Sequence, residues 1–541
     1  MTAAVLDQLS LLAGAPGGIA QLRRLILDLA VTGKLVLQEA ADGSAKALVA
    51  QIAAVKTALG QKGKNRGKAM PPSDPSGYEL PTGWVHVRLD DLTTKLGAGS
   101  TPLGGKQVYT PDGVMFLRSQ NVWNNGLRLD DVARIPSTIH NGMAGTHVVG
   151  GDLLFNITGA SIGRCAMVPS NFEGGNVSQH VVIVRPALSE LQPYLHKVLV
   201  SDLVQDAVMA EQVGVSREGL SVAKLAAFKI PLPPLAEQRR IVARVDELMA
   251  LCDRLEALQQ SAEAAHARLV QALLDSLIQA PAAGESLAVW QRLAEQFKSL
   301  FTTEASIDAL EASILQLAVT GRLTGQATPL APPVDNEPGL PRLAAGWMYR
   351  PFNELIDPER PIAYGVLVPG AEVDGGVPFV RIADLSIQSP GHLPEKTIAH
   401  DVDAKFRRTR LVGGEILMGV VGSVGKLGVA PASWAGANIA RAICRIVPAP
   451  GVNKDYVLLL LRSGLMRRQF LGDTRTLAQP TLNVGLIRAA KAPVPPPAEQ
   501  ERVVRVAHAM LAFCDQLKPR IANVRAKQSQ LAETLVEAAL A

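Results

Sequence analysis

Apolar positions along the chain follow two rhythms. In residues 80–230 and 343–492 they come as short runs such as Val181-Val182-Ile183-Val184, bounded by glycine, asparagine and other turn formers, which predicts strands in two globular mixed modules. Each module ends at a proline cluster, and beyond it apolar residues recur at alternating spacings of four and three, the seam of a coiled-coil helix. The first seam runs Ile241, Val245, Leu248, Cys252, Leu255, Gln259, Ala262, His266, Leu269 and Leu273. The second runs Val503, Ala507, Met510, Cys514, Leu517, Ile521, Val524, Gln528, Leu531 and Leu535. Proline suits the start of a helix, where the first N–H groups have no intrahelical acceptor. Pro519 lies inside the second seam and predicts a kink or broken turn, since an internal proline costs about 3 kcal/mol. Two shorter helical stretches, 22–35 and 310–323, each end in Thr-Gly, where glycine can take the left-handed cap. The long helices are expected to pack as an antiparallel pair, with 310–323 completing the first coil and 22–35 the second.

These elements occur twice. Leu29-Ala30-Val31-Thr32-Gly33-Lys34-Leu35 returns 288 residues on as Leu317-Ala318-Val319-Thr320-Gly321-Arg322-Leu323. Gly83-Trp84 returns 263 residues on as Gly346-Trp347, and Gly151-Asp152-Leu153-Leu154 as Gly414-Glu415-Ile416-Leu417. Pro231-Leu232-Pro233-Pro234-Leu235-Ala236-Glu237-Gln238 returns 262 residues on as Pro493-Val494-Pro495-Pro496-Pro497-Ala498-Glu499-Gln500, and all ten seam positions share that shift. The chain is a tandem duplication of about half its length. Its parts read as a helical segment with a basic linker (1–78), a first module (79–234), a central helical region (235–341), a second module (342–496) and a C-terminal helical region (497–541). The stretches 60–76 and 326–341, rich in glycine, proline and charge, read as exposed connections.

Composition narrows the function. At 541 residues, length alone suggests roughly three to four domains. A net charge of +5 permits an anionic partner without identifying one. Four well-separated cysteines form no C-x-x-C pair, so neither a zinc site nor a disulfide scaffold is expected. The first 20 residues have no basic leader and no apolar run approaches a membrane span, so the expected location is the cytoplasm, with no membrane partner.

Catalytic signatures are missing. Gly419-Val420-Val421-Gly422-Ser423-Val424-Gly425-Lys426-Leu427 has the wrong glycine spacing for a phosphate loop, and Leu427 replaces the magnesium-binding hydroxyl. No nucleophile elbow, zinc helix, dinucleotide turn or Asn/Asp-Pro-Pro-aromatic methyltransferase motif occurs. Binding signatures are better represented. Both modules place a cation just after a glycine turn and a hydroxyl before it, Ser161 with Arg164 and Ser423 with Lys426, an arrangement suited to a phosphate or base edge. A second candidate group ends a strand-like run, Arg118 with Gln120 and Asn121, and Arg381 in the second copy; arginine can pair with guanine, and glutamine or asparagine with adenine. A third lies in Asn176-Val177-Ser178-Gln179-His180 and its counterpart Asn438-Ile439-Ala440-Arg441-Ala442, which makes Gln179, His180 and Arg441 candidates. Arg407 and Arg408 could track phosphates. A tight hairpin with a solvated cation, or ordinary strand-end solvation, would produce the same residues.

Two modules opened by Gly-Trp, each closed by Pro-x-Pro-Pro-x-Ala-Glu-Gln and a long helix, resemble the specificity subunit of type I restriction-modification systems over nearly the whole chain. The runs 151–164 and 231–238 carry the resemblance most specifically. It implies an α+β fold of two tandem mixed α/β target-recognition domains separated by long antiparallel coiled-coil helices in a pseudo-two-fold repeat. It also implies that each domain reads half of a split double-stranded DNA site and that the helices set the gap. The chain itself would then be non-catalytic and bind no cofactor. Two methyltransferase subunits docked on Ile241, Val245, Leu248, Leu255, Val503, Met510, Leu517 and Ile521 would methylate adenine N6 with S-adenosylmethionine. Restriction subunits using ATP and Mg would cut. A helix over 236–277 would be roughly 60 Å long, more than one duplex turn. Gly97-Ala98-Gly99-Ser100-Thr101-Pro102 matches a common opening of the family, whereas Pro361-Ile362-Ala363-Tyr364-Gly365 departs from it and suggests a different recognition subclass. The competing readings are an enzyme with unfamiliar motifs and a coiled-coil adaptor that ignores DNA. Coil faces shaped for a partner predict poor solubility of the isolated chain.

Overall fold

The structure, a computed structural model, describes residues 12–60, 79–214, 219–279, 283–324, 339–387, 392–471 and 482–540. Apart from Gly60, the first expected linker lies outside the described residues, as does the second up to residue 338. The chain gathers into two compact units, Met1–Ser261 with Arg525–Ala541, and Ala262–Val524, rather than three or four. The helices build no domain of their own because their apolar stripes are spent on the modules. In the first unit Ile241, Val245 and Cys252 share one buried cluster with Trp84 and Tyr194. In the second, Val503, Ala507 and Cys514 share one with Trp347 and Tyr456.

Both modules have one topology. In the first, Val181–Pro186 lies between Thr93–Ala98 and Leu153–Asn156, all antiparallel, and Cys165–Met167 joins the edge. A second sheet pairs Val114–Leu117 parallel to Gly175–Val177, with Ala133–Ile135 and His147–Val148 outside them. The second module repeats the first sheet as Ala363–Tyr364, Ile443–Ile446, Ile416–Gly419 and Leu427–Val429, and the second as a three-stranded sheet of Thr397–Ile398, Val377–Val380 and Asn438–Ile439, without a strand answering His147–Val148 among the described residues. The strand predicted at 181–184 is the central one, buried on both faces, which explains its unbroken apolar run. A buried asparagine of the second sheet anchors the segment that runs beside it in each copy. Asn176 Nδ2 donates to Thr146 Oγ1 (2.7 Å), and Thr409 Oγ1 donates to Asn438 Oδ1 (2.8 Å).

The motifs that recur most faithfully meet at one junction in each unit. Helix Gly18–Val31 ends as expected: Gly33 is left-handed (φ 72°) and Lys34 N–H reaches back to Leu29 O (2.9 Å). Glu304–Val319 ends identically through Gly321 (φ 77°) and Arg322, which reaches Leu317 O. A Cβ on Gly33 would stand 2.3 Å from the Pro81 ring, and one on Gly321 would stand 2.6 Å from the Trp347 indole, so the cap glycine also admits the Gly-Trp element. Trp84 Nε1 donates to the buried Glu237 Oε2 at 2.9 Å, joining module opening to long helix. In the second unit Glu499 accepts instead from Thr324 Oγ1 (2.6 Å). Tyr194 and Tyr456 donate their hydroxyls to Pro231 O and Pro493 O, holding the proline clusters.

The long helices span Leu235–Gln279 and Pro497–Leu540. Pro519 does not break the second one; the residue before it, Lys518, is anchored to Asp308 and Glu311. The seam is right at first and then drifts. Ile241, Val245, Leu248 and Cys252 are buried, but Leu269 is exposed and the later buried residues are Val270, Leu274 and Leu277. Likewise Val524 and Leu531 are exposed, whereas Ala532 is buried. Cys252 to Val270, and Cys514 to Ala532, are both 18 residues, five turns of a straight 3.6-residue helix. The stripes follow that period and not the supercoiled 3.5. Each short helix packs on the long helix that closes its own module: Arg23 pairs with Asp253 and Glu256, and Lys518 with Asp308 and Glu311. The expected exchange is present as well: Leu310, Ile314 and Leu317 share a buried cluster with Val270, Leu274 and Leu277 of the first long helix, and Arg322 donates to Ile278 O. The C-terminal helix meets Leu12 and Ala15 through Ala532, and its Val536 and Ala539 pack against the cluster that contains Ile19 and Leu22 of helix Gly18–Val31.

Candidate nucleic-acid interface

Three loops of the first module meet at one edge. Ser178 N–H donates to Leu117 O (2.9 Å), and Ile157 N–H to His180 O (3.1 Å). Asn156 Nδ2 donates both to Ser119 O (2.9 Å) and to Ser161 Oγ (3.1 Å), tying the turn after Leu117 to the glycine turn. This edge gathers Arg118, Gln120, Ser161, Arg164, Gln179 and His180, which the sequence offered as three separate groups. In the second module Ala440 N–H donates to Val380 O and Val420 N–H to Ala442 O, so the same three loops meet there.

The side chains serve unequally. Asn121 cannot present an amide edge: it is buried, its Oδ1 accepts from Arg118 N–H (3.0 Å) and its Nδ2 donates to Arg128 O (2.9 Å). It is a turn residue that sets the backbone of Arg118, a correction to the sequence reading. Ser161 already accepts from Asn156, and Gln120 leans on Asp131 at 3.4 Å. Gln179 and His180 are exposed, and His180 Nδ1 shares a proton with Thr158 Oγ1 (2.7 Å). Arg118 is half-buried, with its guanidinium 5.7 Å from the centre of the Tyr109 ring.

Arg164 does not point loosely into solvent. Its guanidinium carbon lies 3.7 Å from the centre of the Trp123 ring, and that of Arg128 lies 3.5 Å from the same centre. Two groups that close to one centroid must occupy opposite faces, so Trp123 is sandwiched. Its Nε1 donates to Gln120 O (2.8 Å), which fixes the indole. Stacking leaves the in-plane N–H edges of both arginines free to donate, already ordered for a phosphate or a guanine. Trp123 and Arg128 escaped the sequence reading; the turn signal Asn124-Asn125-Gly126 beside a lone tryptophan was the available clue.

The second module is built otherwise. Lys426 donates to Ile382 O (2.8 Å) and Ala383 O (3.3 Å), satisfying carbonyls whose counterparts in the first module bond Asn156 and Trp123. Arg381 is steered by Asp384, which also accepts its backbone N–H (2.7 Å). Ser386 stands where Trp123 does, so no such sandwich forms. Ser423, Arg407, Arg408 and Arg441 are exposed. The openings that looked unlike in sequence converge in space. Gly99 N–H donates to Val181 O and Gly365 N–H to Ile443 O, and a Cβ on either glycine would strike a carbonyl oxygen, Val177 O at 2.0 Å or Ile439 O at 1.8 Å. The departure is thus confined to residues around an equivalent glycine, and the scaffold is the same.

Among the described residues no cluster of three metal-ligating side chains occurs, no helix is long and apolar enough to cross a membrane, and all four cysteines are free and buried. The profile of the type I restriction modification DNA specificity domain matches residues 81–265, which span the first module and the start of its long helix. The EcoEI specificity subunit of Escherichia coli is 28% identical, over 97% of this chain and 94% of its own length. The EcoAI specificity subunit of the same species is 26% identical with the same coverage. A chain from a solved type I restriction-modification structure, described with that system's complex assembly and conformational transition, has the same fold at a TM-score of 0.50 and 18% identity. It covers 86% of this chain and 99% of its own. The chain is similar to type I specificity subunits over nearly its whole length. In this chain the most repeated motifs lie at the junctions, while the exposed loop edges carry the differences between modules.

Proposed function

We propose that this chain is a type I specificity subunit, itself non-catalytic and without a bound cofactor, that reads a split duplex DNA site, one half with each module. The observation that carries this reading is the pair of loop edges, built on one scaffold but dressed differently: stacked Arg128 and Arg164 with Gln179 and His180 in one, Arg381, Ser423 and Arg441 in the other. Equivalent loops with unlike side chains are what two unlike half-sites require. The long helix Leu235–Gln279, about 67 Å at 1.5 Å per residue, is of a length to set a gap of more than one duplex turn. Methyltransferase subunits dock on the helices. Supporting this, the helices of the second unit hold an apolar hollow of about 330 Å³ lined by Trp290, Phe297, Met510 and Phe513, the last 47% exposed. Those partners supply S-adenosylmethionine chemistry at adenine N6, and restriction subunits supply ATP- and Mg-dependent cleavage, all in the cytoplasm. The test is single-molecule sequencing of adenine methylation in host DNA with and without the gene. The expected result is a gene-dependent motif of two unlike blocks at a fixed gap. An unchanged methylome with the methyltransferase expressed would overturn the reading and favour a coiled-coil adaptor.

A further inference from the structure

The second module contains a cavity of about 320 Å³ away from the loop edge, walled by Arg360, Arg407, Arg408, Arg410 and Arg445, with Glu359 at its side. Two of the five are neutralised: Arg360 pairs with buried Glu415 and Arg410 with buried Asp403. Burial pushes the Asp403 carboxyl up, but hydrogen bonds from Arg410 and Asn438 outweigh it and hold it ionised below the ordinary range. Arg407 and Arg408 are exposed and have no carboxylate partner among the described residues. Arg445 is the telling member. It is only 5% exposed, its Nε has no hydrogen-bond partner, and one terminal nitrogen donates to Arg410 O at 3.3 Å. Burial and then the Arg360 guanidinium hold its pKa below the ordinary range, and the Glu415 and Asp357 carboxylates offset this only in part, so a further anion would relieve the cost of the buried charge.

The duplication supplies a control within the molecule. Arg445 pairs across its sheet with Ala363 as Ile183 pairs with Gly97, so Arg445 occupies the place of a core isoleucine. The same alignment sets Arg360, Arg407, Arg408 and Arg410 against Thr94, Ala144, Gly145 and His147. None of these aligned positions in the twin holds an arginine; there Arg185, paired with Asp152, and Lys95 both donate to His147 O, so the twin places two cations where the second module gathers five arginines.

We propose that this arginine pocket seats a phosphate group, either that of a DNA strand held by the second module or that of a free phosphorylated small molecule. The first source rests on the DNA-reading function; the second does not. Arginine's fork suits phosphate oxygens bidentately, and the cavity has room for the group with its hydration.

The experiment uses the full chain in complex with its methyltransferase, comparing wild type, the surface double variant Arg407→Ala/Arg408→Ala, and Arg445→Ile, which installs the twin module's residue. Duplex affinity is measured across a salt series on a motif-bearing and an unrelated duplex, and inorganic pyrophosphate is titrated in a thermal-unfolding assay. For a DNA phosphate, both variants weaken both duplexes by a similar factor of three to ten, and the double variant flattens the logarithmic salt slope by about 2. For a free phosphate, pyrophosphate raises the unfolding temperature of wild type but of neither variant, and duplex binding is unchanged. Identical behaviour of all three proteins in both assays overturns the proposal, as does weakening confined to the motif-bearing duplex, which would mark base contacts instead. If wild type binds no duplex, the DNA reading fails, while the pyrophosphate titration still decides the pocket.

Discussion

Glu311 and Lys518 form an ion pair at 2.9 Å in the second unit, at the positions that Arg23 and Glu256 hold at 2.8 Å in the first, with the two charges exchanged. The shifts of 288 and 262 residues that align the short and long helices superimpose Arg23 on Glu311 and Glu256 on Lys518. A short helix offered the wrong long helix would meet its own charge, arginine against lysine or glutamate against glutamate. Duplicated cores alone would not discriminate; the reversed pair does.

Lys518→Glu therefore sets three carboxylates together with Asp308 and Glu311. The pair is partly exposed, so the expected loss is about 1 kcal/mol. Adding Glu311→Lys should restore part of it. Equilibrium unfolding of the four proteins of this cycle checks the coupling, and strict additivity would remove it.

Trp123→Leu deletes the surface on which Arg128 and Arg164 are ordered. Each stacking contact is worth about 0.5–2 kcal/mol, so on the proposed DNA reading duplex affinity at the half-site assigned to the first module should fall roughly tenfold or more. The methylation motif of a strain carrying the variant should degrade in one block only. Loss of both blocks together would point to misfolding.

Gly99→Ala and Gly365→Ala each drive a methyl group into a fixed strand carbonyl. A cost above about 2 kcal/mol is expected at both positions. Gly97→Ala, where a Cβ meets nothing within 4 Å, is the matched control. Thermal unfolding of the three variants should rank them accordingly, and equal midpoints would refute the packing argument.

Asp28 gives the fold a pH dependence. Burial pushes its carboxyl up to about 7, with the Asp202 and Asp206 carboxylates adding to the shift. An acid raised above its unfolded value contributes most stability below that value, and the contribution is lost as pH rises from about 4 towards 7. Asp28→Asn should raise the unfolding temperature at pH 8 and have little effect near pH 4. A gain that is the same at both pH values would show that Asp28 is not the titrating group.

The sequence made the duplication, the modules and the junction motifs legible because each depends on local chemistry: a cap glycine, a proline-led helix, a central apolar strand. It misplaced the far halves of the seams because a seven-residue pattern extended along 45 residues accumulates error against a straight helix, so Leu269 and Leu531 fell outside the buried stripe. It misjudged Asn121 because burial depends on Arg128, seven residues away, folding back over it. Trp123 was invisible as a functional residue because its two arginines come from different loops. Gly365 was passed over because its neighbours had changed while the carbonyl it must clear, Ile439 O, had not.

The incoming and outgoing strands of each module lie side by side, Val85–Arg88 against Lys229–Leu232 and Met348–Pro351 against Lys491–Val494. A module that leaves the chain where it enters is a cassette: its interior can be exchanged for another of the same fold without rerouting the helices or disturbing Trp84 and Glu237 at the seam. On the proposed DNA reading, such an exchange would change the address while the helices and the repeated junction motifs stay in place.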